Sequence, residues 1–427
     1  MVTSAIAYAA IGFAPFPVLR QIAVFSCAGL FMAWLTVVSL YPSMLPTALF
    51  SHPRYLRWSQ HTDYFLRHLF DGHWRRALLI IAALAMIPSV LSIRANDDLR
   101  LLQTPEPSII TMETRVQALT GLQHSTQFFL IEGDTQEQLL QRSEQLSNWL
   151  QREQPTASID TVTRYLPSQQ QQQENFLAQK KLYDGFAQHW RDTLGLPNDV
   201  IHQAAAAFQH TPTHWLTAND INTSALNSTL EHFQLTQTAR GWMAAAFVSN
   251  SSDIAALEHY ATTHDGVHWM DPVRDISNLF HHYREQTGWM MLIAYAVIAA
   301  LLCWRYTPTQ AWRVMLAPAL AAWFTLGLLG YAGVALNLFH VLALLLVLGV
   351  GIDYSIFFAE SGTHRDTTML AVLLSTATTL LSFGLLALSQ TAAISSFGTV
   401  ISIGLLCSLL FSPLAQHPAF TSKKISA

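Results

Sequence analysis

Residues 337–360, NLFHVLALLLVLGVGIDYSIFFAE, place a carboxylate inside an apolar run long enough to cross a bilayer. At about 1.5 Å of helix rise per residue, Asp353 lies roughly 18 Å from Val341, near the middle of the hydrocarbon. A charge at that depth costs roughly 2.5–3.5 kcal/mol on insertion scales, so it must face protein or a wet cavity, and its first reading is a proton or ion site. The alternative is an acid kept neutral and hydrogen-bonded for packing. An acid shielded from water binds its proton more tightly and can load and unload it as hydration changes. Each proton moving inward gains about 2.3 kcal/mol per 100 mV. Tyr354 is placed to hold or relay that proton, with Ser355 beside it. Gly349 and Gly351 leave room for a neighbouring helix. Glu360 lies two turns along the same face and is either a proton exit or an interfacial acid. Ser375, Thr376, Thr378 and Thr379 bring hydroxyls to a comparable depth on another apolar span. Thr376 and Thr379 are taken as relay candidates, against the plainer reading of helix packing. No other apolar span carries Asp, Glu, Lys or Arg in its core.

With 51% hydrophobic and 12% charged residues among 427, the chain is too apolar for an ordinary soluble protein and reads as a polytopic membrane protein. The net charge of −4 excludes little, because the placement of basic residues matters more than their sum. Cys27, Cys303 and Cys407 all fall in apolar spans, so neither a disulfide framework nor a cysteine metal site is expected. Residues 1–14 lack a basic leader and read as a membrane helix rather than a cleaved signal.

Eight apolar spans position the central acid, at about 3–19, 21–41, 76–94, 288–304, 314–336, 338–359, 368–389 and 394–416. The first is the weakest, with Pro15 and Pro17 breaking its far end. Residues 51–76 interleave Tyr55, Trp58, Tyr64 and Phe65 with Arg54, Arg57, Arg67, Arg75 and Arg76, a composition suited to the headgroup plane. Lying between two spans, the segment does not read as a nucleic-acid surface. Arg305, Arg313, Arg365, Lys423 and Lys424 alternate with connections near Leu336 and Gln390 that carry no basic residue, so both ends are expected in the cytoplasm. Arg20 is the exception among the short loops.

Residues 95–287 then form an outer, periplasmic domain. Residues 127–131 read as a strand, 136–150 as an amphipathic helix, 242–248 as a strand, 253–263 as a helix and 267–270 as a strand. This strand-helix-strand pattern given twice predicts a split βαβ, ferredoxin-like α+β domain. The glutamines at 169–173 read as a solvated helix start, and Asn96, Asp97 and Asp98 as a cap on the start of this domain. The expected organisation is two membrane helices (1–50), an amphipathic cytoplasmic linker (51–75), a membrane helix (76–94), the porter-like domain (95–287), a five-helix bundle (288–417) and a cytoplasmic tail (418–427).

A shift of 372 residues aligns Ala5 with Ala377, Gly12 with Gly384, Ile22 with Ile394 and Phe25 with Phe397. The first two spans therefore read as a copy of the last two, and transporters are often built from such repeats.

GIDYSIFFAE, followed by STATTLLSFGLLALS and FGTVISIGLLCSLLFSPL, resembles the resistance-nodulation-division superfamily, and most closely its MMPL branch of lipid-type exporters, with a looser likeness to predicted xanthomonadin-type exporters. The resemblance covers essentially the whole chain, and residues 351–355 are its most specific part. It implies a proton-motive-force-driven inner-membrane exporter of hydrophobic or lipid-like molecules, not an enzyme. Asp353 and Tyr354 match the Asp-Tyr pair of the family's tenth helix. The chain resembles the family from its fifth helix onward, and residues 1–50 would be the remnant of the first repeat. On that reading Asp353 lacks its facing helix, the cavity beside it opens to lipid or a second copy, and pumping requires an N-terminal half-transporter or a second chain.

No cofactor motif is present, and eighteen histidines show no metal-ligand spacing such as HExxH. His281 and His282 read as a surface dipeptide, and His340 as a boundary residue or a sensor of external pH. Two other functions compete. A non-transporting scaffold or sensor on the same fold would carry no proton flux. An intramembrane aspartyl protease is a remote alternative, since residues 349–353 hold one residue too many for a GxGD motif and no second membrane aspartate completes a dyad.

Overall fold

In hydrocarbon only a helix satisfies every backbone N–H and C=O within its own segment, and the apolar runs of this chain fold accordingly. The computed structural model describes residues 2–12, 17–41, 53–70, 72–102, 105–120, 126–185, 191–193, 195–210, 214–222, 231–239, 241–362 and 365–416. In chain order the helices are α1 (Val2–Gly12), α2 (Pro17–Ser39), α3 (Pro53–Phe70), α4 (His73–Ala85), α5 (Ile87–Ser92), α6 (Leu99–Leu102), α7 (Pro107–Thr120), α8 (Gln136–Glu153), α9 (Gln169–Gly185), α10 (Asn198–His210), α11 (Ala218–Asn222) and α12 (Ile254–Thr263). They continue with α13 (Pro272–Arg305), α14 (Pro308–Tyr331), α15 (Leu338–Glu360), α16 (Arg365–Phe383) and α17 (Ala392–Phe411). The strands are β1 (Phe128–Gly133), β2 (Ser158–Asp160), β3 (Thr236–Thr238), β4 (Gly241–Ser249) and β5 (Val267–Met270). Contacts divide the chain into one unit of Met1–Pro105 with Val273–Ala427, and a second of Glu106–Pro272.

Seven helical stretches among the described residues are long and apolar enough to cross a membrane, against eight expected. The difference is α1, whose 11 described residues fall short of the roughly 20 a bilayer requires. Pro15 lies outside the described residues, while Pro17 opens α2, where its missing N–H is no loss. The span expected at 288–304 is the second half of one 34-residue helix, α13. As described, α1 runs to Gly12, and α16 gives way to a 3₁₀ turn at Gly384, the residue aligned with Gly12 by the 372-residue shift.

At the centre of the first unit, α15 is buried along nearly its whole length, packed by α1, α14, α16 and α17. That is why its sequence is apolar on every face instead of striped. Close approach is set by glycines. A Cβ at Gly404 of α17 would lie 2.4 Å from Val347, and one at Gly351 would lie 2.9 Å from the Ser408 hydroxyl. Asn337 starts α15 by accepting from the His340 N–H at 3.1 Å, while His340 Nδ1 accepts from the Asn337 N–H at 3.1 Å.

The second unit is a sheet ordered β2-β4-β1-β5, with β3 on the outside of β4 and every pairing antiparallel. Leaving β3 aside, that is the order of a split βαβ, ferredoxin-like fold, with α8 and α12 as its two helices. Buried positions alternate along β1. Phe129 and Ile131 on that inner face pack with Leu139, Leu146 and Leu150 of α8 and Leu257 of α12. Thr135 and Asp253 cap the two helices by accepting from Gln138 and Ala256 N–H groups. The glutamine run opens α9, where Ser168 Oγ accepts from the Gln171 N–H at 3.0 Å.

Candidate functional site

Asp353 is half-buried in α15, and both of its oxygens are engaged from α1. Thr3 Oγ1 donates to Oδ1 at 3.1 Å, and Ser4 Oγ donates to Oδ2 at 2.5 Å. Thr3 and Ser4 are themselves buried. The approach of α1 is permitted by Gly349, where an added Cβ would stand 3.1 Å from the Ala7 methyl. This corrects the expectation that Asp353 is left unpaired beside a cavity open to lipid or a second copy: α1 occupies that side. Tyr8, one turn beyond Ser4, lies within electrostatic range of the same carboxylate.

On the other side of α15, Tyr354 is buried and its hydroxyl donates to Ser375 Oγ of α16 at 3.5 Å. Under the 372-residue shift Thr3 corresponds to Ser375 and Ser4 to Thr376. Asp353 thus meets both hydroxyls of the first pair, and Tyr354 meets one hydroxyl, Ser375, of the pair aligned with it. Thr3 and Ser4 were missed as site residues, although the repeat alignment maps them onto the hydroxyls already singled out.

The remaining candidates do not gather at Asp353. Ser355 is buried and donates to the Gly351 carbonyl at 2.8 Å, Thr376 to the Val372 carbonyl at 2.8 Å, and Thr379 to the Ser375 carbonyl at 2.8 Å. Such bonds to the preceding turn are what hydroxyls adopt inside helices when nothing else claims them. Glu360, exposed at the end of α15, accepts from the Tyr306 hydroxyl at 2.5 Å. Gly351 faces α14 and α17 instead of a site, with Pro318 and Ser408 nearest to it.

Two further acids lie buried at opposite ends of α15. Asp97 accepts from Arg284 Nε at 2.7 Å and from the Leu338 N–H at 3.0 Å, with His281 Nδ1 3.7 Å away. It therefore caps α15 instead of opening the second unit, as its place in the sequence had implied. His340 is buried in the same cap, and His281 also lies 3.3 Å from Glu285. Asp63 of α3 accepts from Arg365 Nε at 2.6 Å, and Ser59 of the same helix donates to the Asp366 carbonyl at 2.9 Å. Leu66 completes this dock against Phe358 and Met369, while Tyr64 and Phe65 stay exposed.

No family model matches the chain. Over 90 residues it is 36% identical to the hopanoid transporter HpnN of Burkholderia multivorans, an alignment covering 20% of this chain and 10% of that protein. The crystal structure of a heavy metal efflux pump superposes with a TM-score of 0.48 at 13% identity, covering 97% of this chain and 56% of the pump. The chain thus spans about half the length of that solved structure. Both are transport proteins by name. With seven membrane-capable helices among the described residues, a ferredoxin-like sheet and the residues 351–355 motif on its central helix, this multi-pass membrane protein resembles the resistance-nodulation-division superfamily, and within it the MMPL exporters.

Proposed function

We propose that the chain is the C-terminal part of an exporter that moves hydrophobic or lipid-like molecules across the bacterial inner membrane, driven by protons passing Asp353. The observation that carries the reading is the pair of hydroxyls, Thr3 and Ser4, donating to the one carboxylate held inside the central helix. Hydroxyls donate to a carboxylate and can equally accept from a carboxylic acid, so either protonation state of Asp353 finds partners without a charge being stranded. Tyr354 and Ser375 form the second arm of the relay, and Glu360 with Tyr306 the exit. The hopanoid cargo named for the relative favours a lipid-like substrate. In this reading Glu106–Pro272 is the periplasmic porter domain, and the α3 surface lies against the cytoplasmic leaflet.

The test is Asp353→Asn in an assembly containing this chain, reconstituted in liposomes with a pH gradient. Proton flux and substrate export are expected to fall at least 100-fold, with the melting temperature nearly unchanged. Export at the wild-type rate by that variant would remove the proton role, and an assembly in which the wild type carries no flux would leave the scaffold reading in its place.

A further inference from the structure

In the first unit, α4, α5 and α14 cross the membrane side by side, closed over one half of their length and open over the other. In the closed half, Gly330 and Gly327 of α14 admit Ser89 and Met86 so tightly that an added Cβ would lie 2.3 and 2.5 Å from their side chains. Ser89 Oγ donates to the Gly327 carbonyl at 2.6 Å, and the Tyr331 hydroxyl donates to the Ala85 carbonyl. Toward the start of both helices they part. The gap is a groove of about 440 Å³ walled by Leu79, Ile80 and Leu84 on one side and Leu316 and Leu320 on the other, with no polar atom in its wall. Trp323 closes its inner end, held there by the bond from its Nε1 to the Ala83 carbonyl at 3.0 Å.

The open end is basic on both helices. Arg76 stands three, four and eight residues before Leu79, Ile80 and Leu84, and Arg313 three and seven before Leu316 and Leu320, so each arginine continues the stripe that lines the groove. One turn of rise, about 5 Å, separates each from the first lining residue. Arg76 is exposed and Arg313 half-buried, and the ion pairs among the described residues include neither. The neighbouring Arg75 differs, being engaged with His68 of α3.

We infer that this groove binds one anionic phospholipid, its phosphate on Arg76 and Arg313 and one acyl chain along the groove to Trp323. Two guanidiniums offer a phosphodiester opposite charge and forked hydrogen-bond donors, while a wholly apolar wall offers nothing to a polar solute. The volume lies in the roughly 300–1,000 Å³ range of single-ligand sites. Lipid retention is read without any gradient, so the site stands or falls independently of the role of Asp353.

The experiment uses the full chain in phosphatidylcholine bilayers doped with phosphatidylglycerol, with extraction and native mass spectrometry of the retained lipid. Phosphatidylglycerol is expected to be retained over phosphatidylcholine. Arg76→Gln with Arg313→Gln should cut that retention about 25-fold, roughly fivefold per arginine removed. Ala83→Phe, which fills the groove and leaves both arginines, should lower it as well. Equal retention of the two lipids, or retention within twofold of wild type in both variants, would overturn the site. So would a photoreactive residue at Ile80 that cross-links to a protein helix and not to lipid.

Discussion

At opposite ends of α15 a carboxylate meets a guanidinium, Asp97 with Arg284 at 2.7 Å and Asp63 with Arg365 at 2.6 Å. Between them Asp353 meets two hydroxyls, and no cation among the described residues. The same side chain serves two purposes through its partners. Removing the guanidinium from Asp63 or Asp97 would leave a carboxylate uncompensated out of water, which costs several kcal/mol, so these pairs act as fasteners. Protonating Asp353 strands nothing, because a hydroxyl that donated to the carboxylate can rotate to accept from the acid. The neutral partners of Asp353 fit the proton role proposed for it, and the guanidiniums of Asp63 and Asp97 fit a structural one.

The strongest way to break this contrast is at a fastener. Arg365→Ala leaves Asp63 buried without its cation and is expected to cost about 3–5 kcal/mol, read as a lowered melting temperature in detergent. Pairing it with Asp63→Leu should restore most of that loss, since a buried ion pair contributes little over well-packed apolar groups. Asp353→Asn, by contrast, keeps the shape and an acceptor for Thr3 and Ser4 and should shift stability by less than about 1 kcal/mol. Were Arg365→Ala as stable as wild type, the pair would not be a fastener.

A smaller effect is expected at the hydroxyls. Ser4→Ala removes one of two donors to Asp353, and hydrogen bonds to charged groups are worth about 1.5–3 kcal/mol. Gradient-driven flux should fall about tenfold or more and the melting temperature should drop, with Ser4→Thr restoring both. Unchanged flux in Ser4→Ala would reduce α1 to a packing element.

Much of this was legible from residue types alone. An uncompensated carboxylate in an apolar run marks its own position, because the cost of burying it admits few innocent explanations. The strands and helices of the second unit could be read from alternation and capping at Thr135 and Asp253, both of which are local signals. What the sequence hid were partners distant in the chain. Thr3 and Ser4 lie about 350 residues from Asp353, and Asp63 lies 302 from Arg365. Asp97 looked like a cap for the start of the outer domain, yet its oxygens turn to Arg284 and Leu338. Hydroxyls such as Ser355 and Thr376 were indistinguishable by type from Thr3, and only packing decides which of them bond their own helix.

The smallest effect belongs to a fourth acid, Glu360, held by a neutral hydroxyl like Asp353 but at the exposed end of α15. Burial, and then the hydrogen bond donated to Glu360, push Tyr306 from 10 up to about 12. Linkage sets the sign. Between pH 10 and about 12 the unfolded chain has already released the phenolic proton while the folded chain still holds it, so this contribution is complete below pH 10 and fades through that window. Tyr306→Phe cannot titrate there. Its melting temperature should sit below wild type at pH 8 and converge on it by pH 12, by an amount kept small because solvent screens a partly exposed pair. Melting curves for the two proteins that stay parallel from pH 8 to pH 12 would show that the Tyr306 bond does not hold Glu360, leaving Asp353 as the one acid of the helix with working hydroxyl partners.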